Sequence, residues 1–275
     1  MAPIPIMING LPGNVARLLA SRALDDPRFR VIPASLTGPE IDIDRFEASG
    51  LSVRLLKPDE RDDALPAVIA AHGRFVAIDF THPAAVNANA AFYARHAVPF
   101  VMGTTGGDRA ALHATVQASS IAAVIAPNMA RPIVGFQAML EYAADTFPGL
   151  LAGYRLRVRE SHQRGKADTS GTAKAVVQAF NRLGVDFDLS QIAMVRDPQT
   201  QKEGWGIPDA YLSGHGWHTY TLDSADGTVR LEFTHNVNGR DVYVQGTLDA
   251  AAFLAARVDA GARGRVFSMI EVLRG

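Results

Sequence analysis

From residue 4 to residue 126 the chain repeats one unit: a short apolar run, a turn of small or polar residues, then apolar residues at helical spacing. Apolar runs fall at 4–8, 30–36, 52–56, 75–79, 99–102 and 121–126. Helical spacing falls at 14–24, 62–72, 83–96 and 108–119, with Pro83 suited to a first turn and Asp108 to a cap. A helix between two strands carries the chain back to the edge where it began. The strands therefore run parallel and helices cover both faces of the sheet. The expected class is α/β, a Rossmann-like doubly wound parallel sheet. Pro33 has no amide hydrogen, so 30–36 should be an irregular or edge strand.

The rhythm changes after about residue 130. A helix over 132–147 leads into alternating residues at 154–160, then a helix over 172–183. Strands at 191–195, 215–222 and 228–236 follow with little helix between them, the last two joined by the hairpin turn Ser224-Ala225-Asp226-Gly227. This pattern predicts an α+β substrate domain with a mixed sheet. The apolar helix expected over 242–258 returns to the first domain. The domains expected are 1–130 with 240–275 for dinucleotide binding, and 131–239 for substrate binding and oligomerisation.

With 48% hydrophobic and 20% charged residues, the 275-residue chain can bury a core in each domain. A net charge of −1 provides no basic field to collect nucleic acid. Every apolar run is too short for a membrane span, and the first residues lack the basic and apolar regions of a signal peptide. The chain contains no cysteine, which removes disulfides, thiolate metal sites and a thiol nucleophile. Cytoplasmic residence is the expectation from these features.

Gly10-Leu11-Pro12-Gly13-Asn14-Val15-Ala16 ends the first strand and opens the first helix. Glycines at the first and fourth positions let the backbone turn tightly and approach a pyrophosphate, and the helix N-terminus favours its charge. Ala16 is small enough for close packing of helix on sheet, while Pro12 removes one amide donor. At the end of the second strand, Thr37 stands where a ribose contact is expected, and no carboxylate precedes Glu40. That gap removes repulsion toward a 2′-phosphate, so NADPH is favoured slightly over NADH. Phe80 and Thr81, then Gly103, Thr104 and Thr105, then Ala126, Pro127, Asn128 and Met129 close three later strands. All lie at the carboxyl edge, where open α/β sheets bind ligands.

A different chemistry collects at Glu160-Ser161-His162-Gln163-Arg164-Gly165-Lys166-Ala167-Asp168-Thr169-Ser170-Gly171-Thr172. Only Lys57, Lys166, Lys174 and Lys202 are lysines among 27 Lys and Arg residues, and two of them fall in or beside this stretch. Lysine can exchange a proton when its pKa is lowered, and arginine cannot. Ser170 can cap the helix that follows, leaving amides of Gly171 and Thr172 for a carboxylate. His162 and Lys166 offer protons opposite an incoming hydride. A capped helix with solvated His and Lys has the same appearance. His215 and His218, three apart on a strand, point to opposite faces, so they share no metal, and no metal site is expected. These two, with His235, read as hydrogen-bonded core or interface residues.

The string from Glu160 to Ala173 resembles the signature of the 4-hydroxy-tetrahydrodipicolinate reductase family of diaminopimelate and lysine biosynthesis, in its shorter plant-type form. The likeness extends to the glycine loop, Asp79-Phe80-Thr81, Gly103-Thr104-Thr105, Arg196-Asp197-Pro198, Ser213-Gly214-His215 and Phe233-Thr234-His235-Asn236. It implies an oxidoreductase that removes water from 4-hydroxy-tetrahydrodipicolinate and reduces it to tetrahydrodipicolinate with NADPH or NADH. His162 would donate or accept a proton, and Lys166 would donate a second or anchor substrate. Gly171 and Thr172 would hold a carboxylate of this small dicarboxylate, with Ser170 and Gln163 beside them. The resemblance also implies a homo-oligomer, dimer or tetramer, and an active site in the cleft between domains. Gln163 replaces a histidine of the bacterial form and cannot carry its charge. The residues alone leave two rivals, an aspartate or homoserine dehydrogenase and a nucleotide-sensing regulator without chemistry.

Overall fold

The computed structural model describes residues 2–275. Its contacts divide the chain into two compact units: the residues up to Arg131 together with Tyr243–Gly275, and Pro132–Val242.

The first unit begins with strand β1 (Ile4–Asn9) and helix α1 (Asn14–Leu24), whose Ala16, Leu19, Ala20 and Ala23 turn inward at helical spacing. The expected strand 30–36 divides at Pro33 into β2 (Phe29–Val31) and β3 (Ala34–Leu36). Proline cannot donate to a ladder, and the Pro33 carbonyl instead accepts the Arg54 amide at 3.0 Å. β3 thereby joins β4 (Arg45–Ala48) and β5 (Leu51–Leu56) in a separate sheet of order β3-β5-β4. The run at 52–56 thus lies outside the main sheet, and β4 was not foreseen.

Helix α2 (Arg61–His72) returns the chain to β6 (Val76–Asp79). A single turn of 3-10 helix at Pro83–Ala85 leads into α3 (Val86–Arg95). β7 (Phe100–Met102), α4 (Arg109–Gln117) and β8 (Ala122–Ile125) complete the series. Asp108 caps α4 by accepting the Ala111 amide at 3.0 Å, as its position predicts.

The second unit opens in α5 (Arg131–Thr146) and continues through β9 (Arg155–His162), α6 (Gly171–Arg182), β10 (Ala193–Val195) and α7 (Pro198–Trp205) to the hairpin β11 (His215–Asp223) and β12 (Arg230–Asn238). The sheet is mixed, in the order β10-β9-β11-β12, with β10 parallel to β9 and the remaining pairs antiparallel. Its inner face buries Leu156, Val158, Tyr220 and Leu222 against Val176, Val177 and Phe180 of α6 and Leu140 of α5. Phe136, Phe180, Tyr220 and Phe233 form an aromatic group with centroids 5.8–6.4 Å apart.

The chain then re-enters the first unit. Helix α8 (Val242–Asp259) precedes β13 (Arg265–Phe267) and α9 (Met269–Arg274). β13 adds to the edge of the main sheet, whose order is β13-β8-β7-β6-β1-β2 with every pair parallel. Strand order reverses between β1 and β6, so their carboxyl ends flank the crevice where doubly wound sheets take ligands. Among the described residues no helix is long and apolar enough to cross a membrane.

Candidate functional site

In the first unit the loop after β1 is packed too tightly for side chains. Gly10 has φ +104°, and a Cβ there would collide with the Phe80 carbonyl. Gly13 precedes the first turn of α1 and donates to the Gly10 carbonyl at 2.8 Å. Leu11 is buried, its amide donating to Ser35 Oγ (3.3 Å) and its carbonyl accepting from Thr37 Oγ1 (2.8 Å). The Gly10 amide is likewise engaged, by the Leu36 carbonyl at 2.9 Å. The donors left for an anion are those of Asn14, Val15 and Ala16, which have no acceptor within the helix. Thr37 therefore braces the loop through the Leu11 carbonyl.

The other strand-end loops hang on one buried carboxylate. Asp79 Oδ1 accepts from Thr81 Oγ1 (2.8 Å), the Thr81 amide (3.1 Å) and Thr104 Oγ1 (3.0 Å). Its Oδ2 accepts from Tyr93 Oη (2.7 Å) and Asn89 Nδ2 (2.9 Å). Asn9 Nδ2 in turn donates to Tyr93 Oη at 2.9 Å, bringing β1 into the same network. Burial, then the nearby Asp79 charge, pushes the Tyr93 hydroxyl up, so it stays a donor. Gly103 leaves room for the Phe80 ring, and Gly246 of α8 leaves room for the Met129 carbonyl. Asn128 Oδ1 accepts the Ala130 amide at 2.8 Å and shapes the turn after Ala126 and Pro127. Thr105 lies exposed just past Thr104.

In the second unit, β9 delivers Glu160, Ser161 and His162 in succession. Glu160 faces inward and is wholly buried. Its Oε1 accepts Arg196 Nη2 at 2.5 Å and its Oε2 accepts the Ser170 amide at 3.0 Å. Burial pushes this carboxyl up, but His218, Arg196 and the Ser170 amide together outweigh it and hold it down at about 2. Arg196 also donates Nε to the Lys166 carbonyl (2.8 Å), tying the loop to the strand.

His162 is partly buried, and burial pushes its ring down to about 3, with the neighbouring His218 adding to the effect. Its Nδ1 lies 3.1 Å from the His215 carbonyl and its Nε2 lies 3.3 Å from His218 Nε2. Lys166 Nζ pairs with Asp168 Oδ1 at 2.6 Å, which draws the Asp168 carboxyl below its ordinary range. Ser170 caps α6 by accepting the Thr172 amide at 3.2 Å. The Thr172 amide, expected to be left for a carboxylate, is thus engaged by its own cap and the Ser170 amide by Glu160, so Gly171 presents the first-turn amide. Gln163 lies half-buried beside His162.

Two family models match this chain: the dihydrodipicolinate reductase N-terminus over residues 4–129 and its C-terminus over residues 133–273. The chain is 45% identical over 271 residues to the Arabidopsis thaliana chloroplastic 4-hydroxy-tetrahydrodipicolinate reductase 1, covering 98% of this chain and 78% of the relative. It is 32% identical to the Burkholderia multivorans 4-hydroxy-tetrahydrodipicolinate reductase, covering 98% of each. The chain belongs to the dihydrodipicolinate reductase family. A solved dihydrodipicolinate reductase of Paenisporosarcina sp. TG-14, with dipicolinate bound, shares the fold at TM-score 0.66 and 17% identity, covering 97% of each chain.

The higher identity to the plant relative agrees with the plant-type form of the signature. Cytoplasmic residence is corrected by the same relatives, since the Arabidopsis and rice reductases are chloroplastic. Lack of cysteine does not separate one reducing compartment from another.

Sequence reasoning missed three members of this hydrogen-bonded cluster. Arg196 entered only through a motif, and Glu160 only as the first letter of one. His218 was set aside as a core residue. The opposite faces expected for His215 and His218 are found, with His215 Nε2 2.9 Å from Ser161 Oγ and His218 beside His162. Among the described residues, Glu160, His162 and His218 each offer a ligand atom within 4.8 Å of the others. Arg196 and the Ser170 amide each bond one Glu160 oxygen and His218 faces His162, so the three are joined in one hydrogen-bonded set. The signal that would have found His218 is the β9–β11 register, which pairs it with Glu160.

Proposed function

We propose that His162 and Lys166 carry the proton chemistry of this chain and that the Ser170–Gly171–Thr172 turn holds a substrate carboxylate. The chain is an oxidoreductase, a 4-hydroxy-tetrahydrodipicolinate reductase of the diaminopimelate and lysine pathway, using NAD(P)H. The observation that carries the residue assignment is Glu160, whose two oxygens bind the Arg196 guanidinium and the Ser170 amide. This carboxylate locks the anion turn to the strand that presents His162.

The glycine loop fits a dinucleotide, because Gly10 lets the loop close against the Phe80 carbonyl and the first amides of α1 have no acceptor within the helix. Gly10 to Val15, Phe80, Thr81, Gly103 to Thr105 and Ala126 to Met129 would hold it, with Thr37 bracing the loop. When bound, the nicotinamide supplies hydride. His162, uncharged near neutral pH, presents a basic ring nitrogen and gains a proton as a dianionic substrate raises its affinity for one. Lys166, held by Asp168, supplies the second cation and anchors or protonates the substrate. Gln163 replaces a charged anchor with a neutral amide donor.

The units take the roles expected of them: residues 1–130 with 240–275 bind the dinucleotide, and 131–239 bind substrate and assemble a homo-oligomer. Support for assembly comes from the sheet face that carries Trp217, Thr219, Thr234 and Asn236, where Thr234 and Asn236 are exposed and Trp217 and Thr219 half-buried. NADPH remains slightly favoured, limited by Glu40, whose carboxylate folds back against Gly38. Replacing Glu40 with Gln should raise kcat/KM for NADPH relative to NADH.

The deciding assay couples NADPH oxidation to freshly formed dihydrodipicolinate-synthase product. His162→Ala and Lys166→Ala should each remove most turnover, roughly 10²-fold or more, and leave NADPH affinity near wild type. Turnover that survives both substitutions refutes the residue assignment. A wild-type chain that binds cofactor yet reduces nothing would make it a sensor.

A further inference from the structure

β9 and β11 pair antiparallel, setting His218 opposite Glu160 and Gly216 opposite His162. Gly216 has no side chain, and a Cβ there would lie 2.9 Å from His162 Cε1. The Nδ1–Cε1–Nε2 edge of the His162 ring therefore faces the neighbouring strand, its two nitrogens engaged from that strand. Nδ1 faces the His215 carbonyl at 3.1 Å, and a carbonyl only accepts, so Nδ1 carries the hydrogen. Nε2 is then the lone-pair nitrogen of the neutral ring. It faces His218 Nε2 at 3.3 Å, and two lone pairs cannot face one another, so His218 Nε2 carries the hydrogen between them. The same His218 nitrogen lies 3.6 Å from Glu160 Oε2, and the carboxylate favours a proton there. His218 is 3% exposed, and its Nδ1 has no hydrogen-bond partner.

We propose that His218, backed by Glu160, is a positioning residue that acts with the His215 carbonyl to hold His162 in its Nδ1–H tautomer. It keeps the lone pair of that ring at Nε2. The inference rests on His162 being the proton-transferring group. His218 does not touch the reacting atoms. Glu160 ties it to the Ser170 amide, so the anion turn and the proton-handling ring are set by one carboxylate. The groups facing His162 are Glu160 on its own strand, His218 on β11, Lys166 in the following loop and Arg196 after β10; His235 on β12 faces it past His218.

The test uses the full chain with histidine-selective nitrogen labelling, His162→Ala assigning its signals, and steady-state kinetics across pH on His218→Leu and His218→Gln. In the wild type the His162 ring should show the Nδ1–H tautomer. His218→Leu should raise the share of the Nε2–H form while the His215 carbonyl still favours Nδ1–H, lower kcat roughly 10²-fold with KM for NADPH unchanged, and move the acid limb of kcat/KM to higher pH. His218→Gln keeps an N–H donor and should restore the tautomer and at least a tenth of kcat. A tautomer ratio in His218→Leu equal to that of the wild type, or a kcat and pH profile that do not change, overturns the proposal. Equal loss in both variants with the wild-type tautomer intact also overturns it, as a packing effect. If His162→Ala retains turnover while the tautomer shifts as expected, the positioning stands and the catalytic assignment of His162 falls.

Discussion

His162 and His235 both enter the interior of the second unit as uncharged rings, burial pushing each down to about 3. An unfolded histidine takes up its proton near 6.5. Below that pH the unfolded chain binds protons that the folded chain refuses, so stability falls as pH drops from about 6.5 toward 3. Each imidazole should contribute a slope of about 1.4 kcal/mol per pH unit across that window. Glu160 acts lower, because its folded pKa of about 2 lies below the ordinary 4.5. Its contribution is full above 4.5 and is lost as pH falls toward 2. Urea unfolding at pH 7.5, 6.0 and 5.0 should show the histidine limb, and His235→Phe should make it shallower. A stability that does not change from pH 7.5 to 5.0 would rule out both rings as buried neutral groups.

At the scale of elements, α6 joins fold and site, since Ser170 caps it at one end and Phe180 anchors its inner face. Phe180 packs on Tyr220 and Phe233 at centroid distances of 6.1 and 5.9 Å. Phe180→Ala should cost about 3–5 kcal/mol, read as a lower urea midpoint at unchanged slope. In α1 the sensitive point lies before the helix. Gly10→Ala places a methyl against the Phe80 carbonyl at a backbone angle that disfavours side chains, and NADPH affinity should fall at least about tenfold by titration. Unaltered affinity in that variant would remove the loop from the nucleotide site. These two elements were legible because their signals are local: the caps, the glycines and the helical spacing of Leu19, Ala20 and Ala23. The fate of 30–36 was half legible. Pro33 announced an irregular strand, but only the Arg54 amide on its carbonyl sends β3 into a second sheet. His218 was illegible for a related reason. Its partners Glu160 and His162 lie 58 and 56 residues away, and nothing short of the β9–β11 register brings them together.

At the scale of the whole molecule, the first unit is built from both ends of the chain. β13 extends the parallel sheet beyond β8, and α8 buries Leu248, Ala250, Ala251 and Leu254 at 0–2% exposure. A sheet made from β1, β2 and β6–β8 alone would leave β8 as an open edge and those apolar side chains without partners. The second unit has its own core, with no residue drawn from after Phe233. A buried charge in α8 should therefore weaken the two units unequally. Leu254→Asp buries a carboxylate with no partner, a change in the class that costs about 3 kcal/mol or more. Amide hydrogen exchange in that variant should lose protection first in β1, β6, β7 and β8, while amides of β9 and β11 keep theirs. NADPH affinity should fall with the first group, because Gly10, Phe80 and Thr104 all hang from those strands. Uniform loss of protection across both units would show instead that the chain unfolds as one cooperative body.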